Sequence, residues 1–325
     1  MKISRREVHA APAGGAFFVM IAAAMWGSDA VFRRGLALEL PASVVVFVEH
    51  AILVLLVLPL LWRTRPFLKE LQGRDWAALI VVGAGASAVA TILFTKAFAY
   101  GDPTSPLLLQ KLQPLFALVG AYVVLKERLT ARYGAYLVAA LIGAYLITFP
   151  SPGVHNLDSL AAAAYAIGAA ALWGMGTVFG RLVVTKIPFT SLTAMRFAIG
   201  LPAAGVVLWA EEGFGALGTV GGKELWALLL LALIPGLGAL LIYYAGLRRT
   251  PAAAATIAEL AFPLSAITLN RFVFGTTLSA TQWFGVALLT AVVMALGYAG
   301  RRGSDRIGIV LAEDAERRAP LLQPG

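Results

Sequence analysis

Cysteine is absent from all 325 residues. Disulfide frameworks, iron–sulfur clusters and thiolate metal sites are therefore excluded. The three histidines, His9, His50 and His155, are scattered and form no metal-ligating cluster. No GxxxxGK[ST] motif is present, which speaks against ATP-driven pumping by this chain, and the lack of HExxH and GxSxG speaks against a protease or esterase. No cofactor and no metal is expected, and the chain does not read as an enzyme. Charge is the other scarcity. Asp, Glu, Lys and Arg make up 13% of the chain, against about 25% in a soluble domain. A soluble globule needs a polar skin that this composition cannot supply, and an apolar chain of this kind is not disordered.

What fills the chain is apolar: 60% of it is hydrophobic, with a mean hydropathy of +0.82. Ten apolar runs long enough to cross a bilayer are bounded by charge, proline or turn residues: 16–36, 42–62, 76–97, 104–125, 133–149, 159–181, 190–210, 224–246, 251–274 and 281–299. They are continuous rather than alternating, which predicts helices and not barrel strands. The expected fold is an all-α polytopic membrane protein with ten transmembrane helices. The first run is too long, and lacks a small-residue cleavage site, to be read as a signal peptide; it holds Trp26 and Asp29.

The net charge of +9 follows topology. With a cytoplasmic N-terminus, nineteen of the 26 lysines and arginines fall in inside segments and three (Arg33, Arg34 and Lys223) outside. The positive-inside rule then puts both termini in the cytoplasm, and the expected location is a bacterial inner membrane. The basic residues serve orientation and anionic lipid, not nucleic acid.

The chain repeats. AAAMWGSDAVFRR around Trp26 returns as AAALWGMGTVFGR around Trp173, an offset of 147 that also pairs Pro41 with Pro188 and Trp62 with Trp209. At an offset of 148, Pro103 matches Pro251. The expected organisation is an N-terminal tail (1–15), a five-helix unit (16–150), a second such unit (159–299) and a C-terminal tail (300–325). An odd number of spans per unit inverts the second relative to the first. Inverted repeats are the signature of alternating-access transporters, whose site lies near midplane between the units.

The stretch SPLLLQKLQPLFALVGAYVVLKERLT (105–130) resembles the fourth helix and following loop of the EamA-type drug/metabolite transporters, and LSATQWFGVALLTAVVMALG (278–297) resembles their last helix. The resemblance covers roughly 16–300 and, within the family, is greatest to the YddG-type aromatic amino-acid exporters. One departure is visible: Glu127 in the first loop has no counterpart in FVFGTTLS (272–279), where Thr276 stands. The resemblance implies export of aromatic or large neutral amino acids. Other small metabolites or cationic drugs are the alternative, and an intramembrane enzyme acting on a lipid-linked substrate is a distant third. Two complete repeats in one chain imply a monomer.

Ionisable groups deep in a membrane are costly and by default functional. Glu49 and His50 lie in the second run, Lys111 in the fourth, Arg196 in the seventh and Glu259 in the ninth. The repeat pairs Glu49 with Arg196 at 147 and Lys111 with Glu259 at 148, each with opposite sign. Such a set suits a zwitterionic substrate; equally, it could be internal ion pairs that lock helices. Gln110, Gln113 and Pro114 share an arc of the fourth helix with Lys111 at its edge. Pro114 and Pro263 each remove a ladder hydrogen bond and make candidate hinges. A glutamine bond between helices is the structural alternative. Trp26, Trp173, Phe94, Tyr243 and Tyr244 are candidate walls for an apolar or aromatic group, or ordinary packing residues. Asp29 is expected to pair with Arg33, four residues on.

Overall fold

The computed structural model describes residues 14–100, 102–125, 131–149, 157–183, 186–247, 258, 261–292 and 294–295. Among them there is no strand. The chain runs as α1 (Gly14–Gly27), α2 (Asp29–Glu39), α3 (Ala42–Leu68), α4 (Gly73–Ala97), α5 (Thr104–Val124), α6 (Ala131–Thr148), α7 (Leu157–Val183), α8 (Phe189–Glu211), α9 (Gly222–Tyr243), α10 (Ala261–Phe274) and α11 (Ala280–Val292). Six of these, α3, α4, α5, α7, α8 and α9, are long and apolar enough to cross a membrane. Val138–Ile147 within α6, and α10 and α11, are shorter apolar helices. Helices satisfy their own backbone groups, as hydrocarbon requires. The outside is greasy: Trp62 and Trp209, repeat partners in the sequence, are 68% and 67% exposed, and Phe272 is 83% exposed. An apolar surface of this extent identifies a polytopic membrane protein.

Several helices depart from the continuous runs expected. The first run is two helices. The Ser28 hydroxyl donates to the Met25 carbonyl at 2.7 Å, and its own N–H donates to the same oxygen at 3.1 Å. That local closure competes with the α-ladder and ends α1. Ladder bonds widen to the π pattern in α4 over Val81–Val89, a stretch of glycine and alanine. They widen again in α9 over Ala232–Gly238, around Pro235. In α5 the turn Gln110–Leu112 tightens to 3-10, with the Gln113 N–H donating to the Gln110 carbonyl. Pro114 has no N–H to offer that oxygen, so the residue before it closes the shorter bond. Pro41 and Pro188 stand at matching places, immediately ahead of α3 and α8.

Packing joins the two halves of the sequence throughout. α3 runs along α8, α1 lies against α9 and α10, and α5 lies against α7. Two close crossings share one design. A β-carbon on Gly174 (α7) would stand 2.8 Å from the Ala117 amide nitrogen and 2.9 Å from the Gln113 carbonyl of α5. One on Gly27 (α1) would stand 2.8 Å from both the Ala266 nitrogen and the Phe262 carbonyl of α10. Only glycine admits such an approach of backbones.

These contacts correct the register of the repeat. Gln113 and Ala117 correspond to Phe262 and Ala266, an offset of 149. Pro114 then matches Pro263; Glu259, and with it the expected pairing with Lys111, lies outside the described residues. Pro103 and Pro251 lie before this change of register, which is why sequence alignment near them misleads.

Candidate substrate site

Aromatic side chains from both halves meet in one apolar cluster. Trp26 of α1 packs against Tyr243 of α9, with ring centroids 4.9 Å apart. Phe94 of α4 stands edge-on to Trp173 of α7 at 5.0 Å and to Phe98 at 5.0 Å. Trp26, Trp173, Phe94, Phe98 and Phe262 of α10 belong to a single cluster that also takes Leu107 of α5. Lys111 joins it from the 3-10 turn of α5: its Nζ lies 4.1 Å from the centroid of the Phe262 ring, a cation–π contact.

Beside Lys111, Gln110 and Gln113 are half-buried on the same α5 segment. The Gln113 Nε2 donates to Thr177 Oγ1 at 3.4 Å, and Thr177 donates to the Trp173 carbonyl at 3.1 Å. Gln113 thus reaches the backbone of one tryptophan through one hydroxyl. Pro114 is exposed beside the tightened turn, while Pro263 is buried in the first described turn of α10. Glu259 lies outside the described residues, as does the loop holding Glu127. Tyr244 continues the helical run just past α9, with its side chain outside the described residues.

The charged candidates of α3 and α8 do not face one another as a pair. Glu49 is held by Arg33, at 3.1 and 3.2 Å. Arg33 also carries the expected bond to Asp29, at 2.6 and 3.0 Å, and donates to Thr95 Oγ1 at 2.8 Å. Arg196 donates instead to the Ala86 carbonyl at 3.2 Å. His50, fully buried, has Nδ1 2.9 Å from the Val46 carbonyl and Nε2 2.9 Å from Ser87 Oγ. A carbonyl can only accept, so Nδ1 carries the proton and Nε2 accepts from Ser87. The His50 ring stands edge-on to Phe197, its repeat partner at 147, with centroids 6.0 Å apart. The ionic cluster adjoins the aromatic one, since the Arg33 guanidinium lies 5.9 Å from the Phe94 ring centroid.

Sequence reasoning missed Phe98, Phe262 and Thr177. Phe262 had a usable signal: it precedes Pro263 as Gln113 precedes Pro114. Phe98 and Thr177 carried none, because nothing in their neighbourhoods departs from ordinary apolar helix.

A helical membrane bundle with an aromatic and cationic cluster between its halves is the build of a small-molecule transporter. The chain belongs to the EamA-like transporter family, whose sequence model matches it twice, over residues 13–149 and 160–298. It is 32% identical over 279 residues to the riboflavin transporter ImpX of Fusobacterium nucleatum, covering 82% of this chain and 92% of that protein. It is 28% identical to the uncharacterized transporter YwfM of Bacillus subtilis, covering 88% of this chain and 94% of that one. A solved crystal structure superposes on 89% of this chain and 99% of its own with a TM-score of 0.55, at 17% identity, a likeness of fold alone.

Proposed function

We propose that this protein is a secondary transporter that moves a small planar aromatic metabolite by alternating access. Two inverted five-helix units (16–150 and 159–299), ten crossings in all, would rock around the cluster of Trp26, Phe94, Trp173, Tyr243 and Phe262. Both termini would be cytoplasmic in a bacterial inner membrane, and one chain would suffice. The observation that carries this reading is the meeting of aromatic rings from α1, α4, α7, α9 and α10 in one place. Ring faces and edges recognise a flat π-system by offset and edge-on stacking.

A flavin is the leading substrate. Riboflavin is neutral and tricyclic, so it needs walls and hydrogen bonds rather than a paired acid and base. Half-buried Gln110, Gln113 and Lys111 supply donors at the edge of those walls. The similarity to a protein named a riboflavin transporter supports the same choice. Export of aromatic amino acids is the second reading. Lys111 would take the carboxylate and Glu259, or carbonyls near Pro263, the ammonium, since Glu49 is committed to Arg33.

Purified protein in liposomes, given radiolabelled riboflavin or tryptophan on one side and unlabelled competitor on the other, separates the two. Saturable riboflavin exchange that phenylalanine and tryptophan do not inhibit supports the flavin reading; the reverse pattern supports the amino-acid reading. Exchange of neither, by folded protein, removes both. Trp173→Ala should raise the half-saturating concentration about tenfold, the worth of one aromatic contact of ~1.4 kcal/mol, and Trp173→Phe much less.

A further inference from the structure

Thr177 sits one turn after Trp173 on the same face of α7, and Gln113 reaches that face from α5. The polarity of this short chain is set at one end. The Trp173 carbonyl can only accept, so the single hydroxyl proton of Thr177 goes to it, at 3.1 Å. Thr177 Oγ1 is then an acceptor toward Gln113, at 3.4 Å, and only the Nε2 end of the amide can face it. One Nε2 hydrogen is engaged there. Among the described residues the Gln113 side chain makes no other hydrogen bond, so its second N–H and its Oε1 remain for a ligand.

The helix contact does not call for this pair. The Gln113 carbonyl lies against Gly174 as the Phe262 carbonyl lies against Gly27, and at the offset of 147 Thr177 matches Ala30. Phe262 and Ala30 both belong to the apolar cluster. One crossing thus closes with a phenyl ring and a methyl group where its repeat partner carries an amide and a hydroxyl. Thr177 is exposed and Gln113 half-buried. Polar groups so placed in membrane helices are costly unless they line a path for water or substrate. The ring of Trp173, whose backbone anchors the chain, stands in the aromatic cluster.

We infer that Thr177 is a positioning residue: it turns the Gln113 amide so that one acceptor and one donor meet the substrate, and the site thereby selects a planar ring whose edge carries an N–H beside a C=O. The ring N–H donates to Oε1, and the ring carbonyl accepts from Nε2. Turned the other way, the amide would set Oε1 against the Thr177 oxygen and its own N–H groups against the ring N–H. An isoalloxazine has the required edge, an imide N–H between two carbonyls. The side chains of phenylalanine, tyrosine and tryptophan do not. The inference rests on the reading of the aromatic cluster as a flavin site, and it adds which edge of the flavin is read and by what.

The test is displacement of radiolabelled riboflavin from the folded, detergent-solubilised protein. The competitors are unlabelled riboflavin and its 3-methyl derivative, whose imide nitrogen has no hydrogen. The native protein should prefer riboflavin by about tenfold, the worth of one hydrogen bond that is otherwise left unmade. Thr177→Val keeps the shape and loses the acceptor; the ratio should fall to near one as riboflavin weakens. Thr177→Ser should restore it. Gln113→Ala, which removes the amide, should level the ratio as well. A ratio that survives Thr177→Val or Gln113→Ala, or one that Thr177→Ser fails to restore, overturns the inference, as does complete loss of binding in folded Thr177→Val. Riboflavin bound by the native protein without preference overturns the inference and leaves the flavin reading standing. Riboflavin that does not bind at all overturns both.

Discussion

Arg33 shows how a single side chain can hold three helices that hydrophobicity alone would leave free to slide. Its contacts reach Asp29 on its own helix, Glu49 on α3 and Thr95 on α4. Truncation leaves the buried Glu49 and the half-buried Asp29 carboxylates without their cation. Arg33→Ala should therefore cost ~3–5 kcal/mol of stability, as for other buried pairs that lose one partner. The check is thermal unfolding of the detergent-solubilised protein. Arg33→Lys should recover only part of the loss, since an ammonium has three donors and not a planar fork of five. The Asp29–Arg33 bond was legible because residues four apart on a helix share a face. The Glu49–Arg33 bond was not. It spans sixteen residues and two helix ends, and only the angle between α2 and α3 decides that Glu49 meets Arg33 and not Arg196.

Among the elements, six of the ten apolar runs meet helices long and apolar enough to cross a membrane, because a membrane span is a composition before it is a shape. The fourth run, 104–125, coincides with a helical segment that the structure traces from Thr104 to Leu125. The interruptions were less visible. Pro114 announced a disturbance in α5, and a tightened turn lies immediately before it. The break at Ser28 depends on one hydroxyl choosing a nearby carbonyl, and serine does this in some helices and not in others. The widened turns of α4 and α9 reflect packing around small residues, which no short motif encodes. The glycine crossings are where helices have least tolerance. Gly174→Ala should push α7 from α5 and Gly27→Ala should push α1 from α10. Each should cost ~1–3 kcal/mol, the usual range for overpacking. Both should lower transport activity and melting temperature together. Gly35→Ala, at a position with no neighbouring atom within 4 Å, is the control that should do neither.

For the molecule as a whole, one set of polar contacts between the halves lies at the end of the bundle where α5 begins and α10 finishes, and the Lys186–Asp75 ion pair at 2.6 Å joins them at the start of α4. The Asn270 Nδ2 donates to Thr104 Oγ1 at 3.1 Å, and Thr104 lies 3.3 Å from Thr276 Oγ1. Lys96–Glu211 and Lys223–Glu39 also join sequence halves. A transporter that alternates access must part such contacts in one of its states. The chain has no cysteine, so a pair introduced at Thr104 and Asn270 reacts against no background. Bridging the pair with a short bifunctional thiol reagent should abolish transport, with either single variant unaffected. A reducible reagent should allow recovery on reduction. The two-fold organisation of the chain was legible from the WG segments; its register through α5 and α10 was not, because the offset changes between Pro103 and Gln113 and only the backbone contacts of Gly27 and Gly174 reveal by how much.

The tryptophans of the aromatic cluster also give the protein an optical property. Indole emission overlaps the near-ultraviolet absorption of an isoalloxazine ring, and energy passes between the two efficiently at molecular contact. Two of the chain's seven tryptophans, Trp26 and Trp173, stand in that cluster. Trp62, Trp76, Trp209, Trp226 and Trp283 are exposed on the outside of the bundle. A flavin held between the halves would darken the first pair most strongly, so occupancy can be followed by light alone, without label, in the native chain.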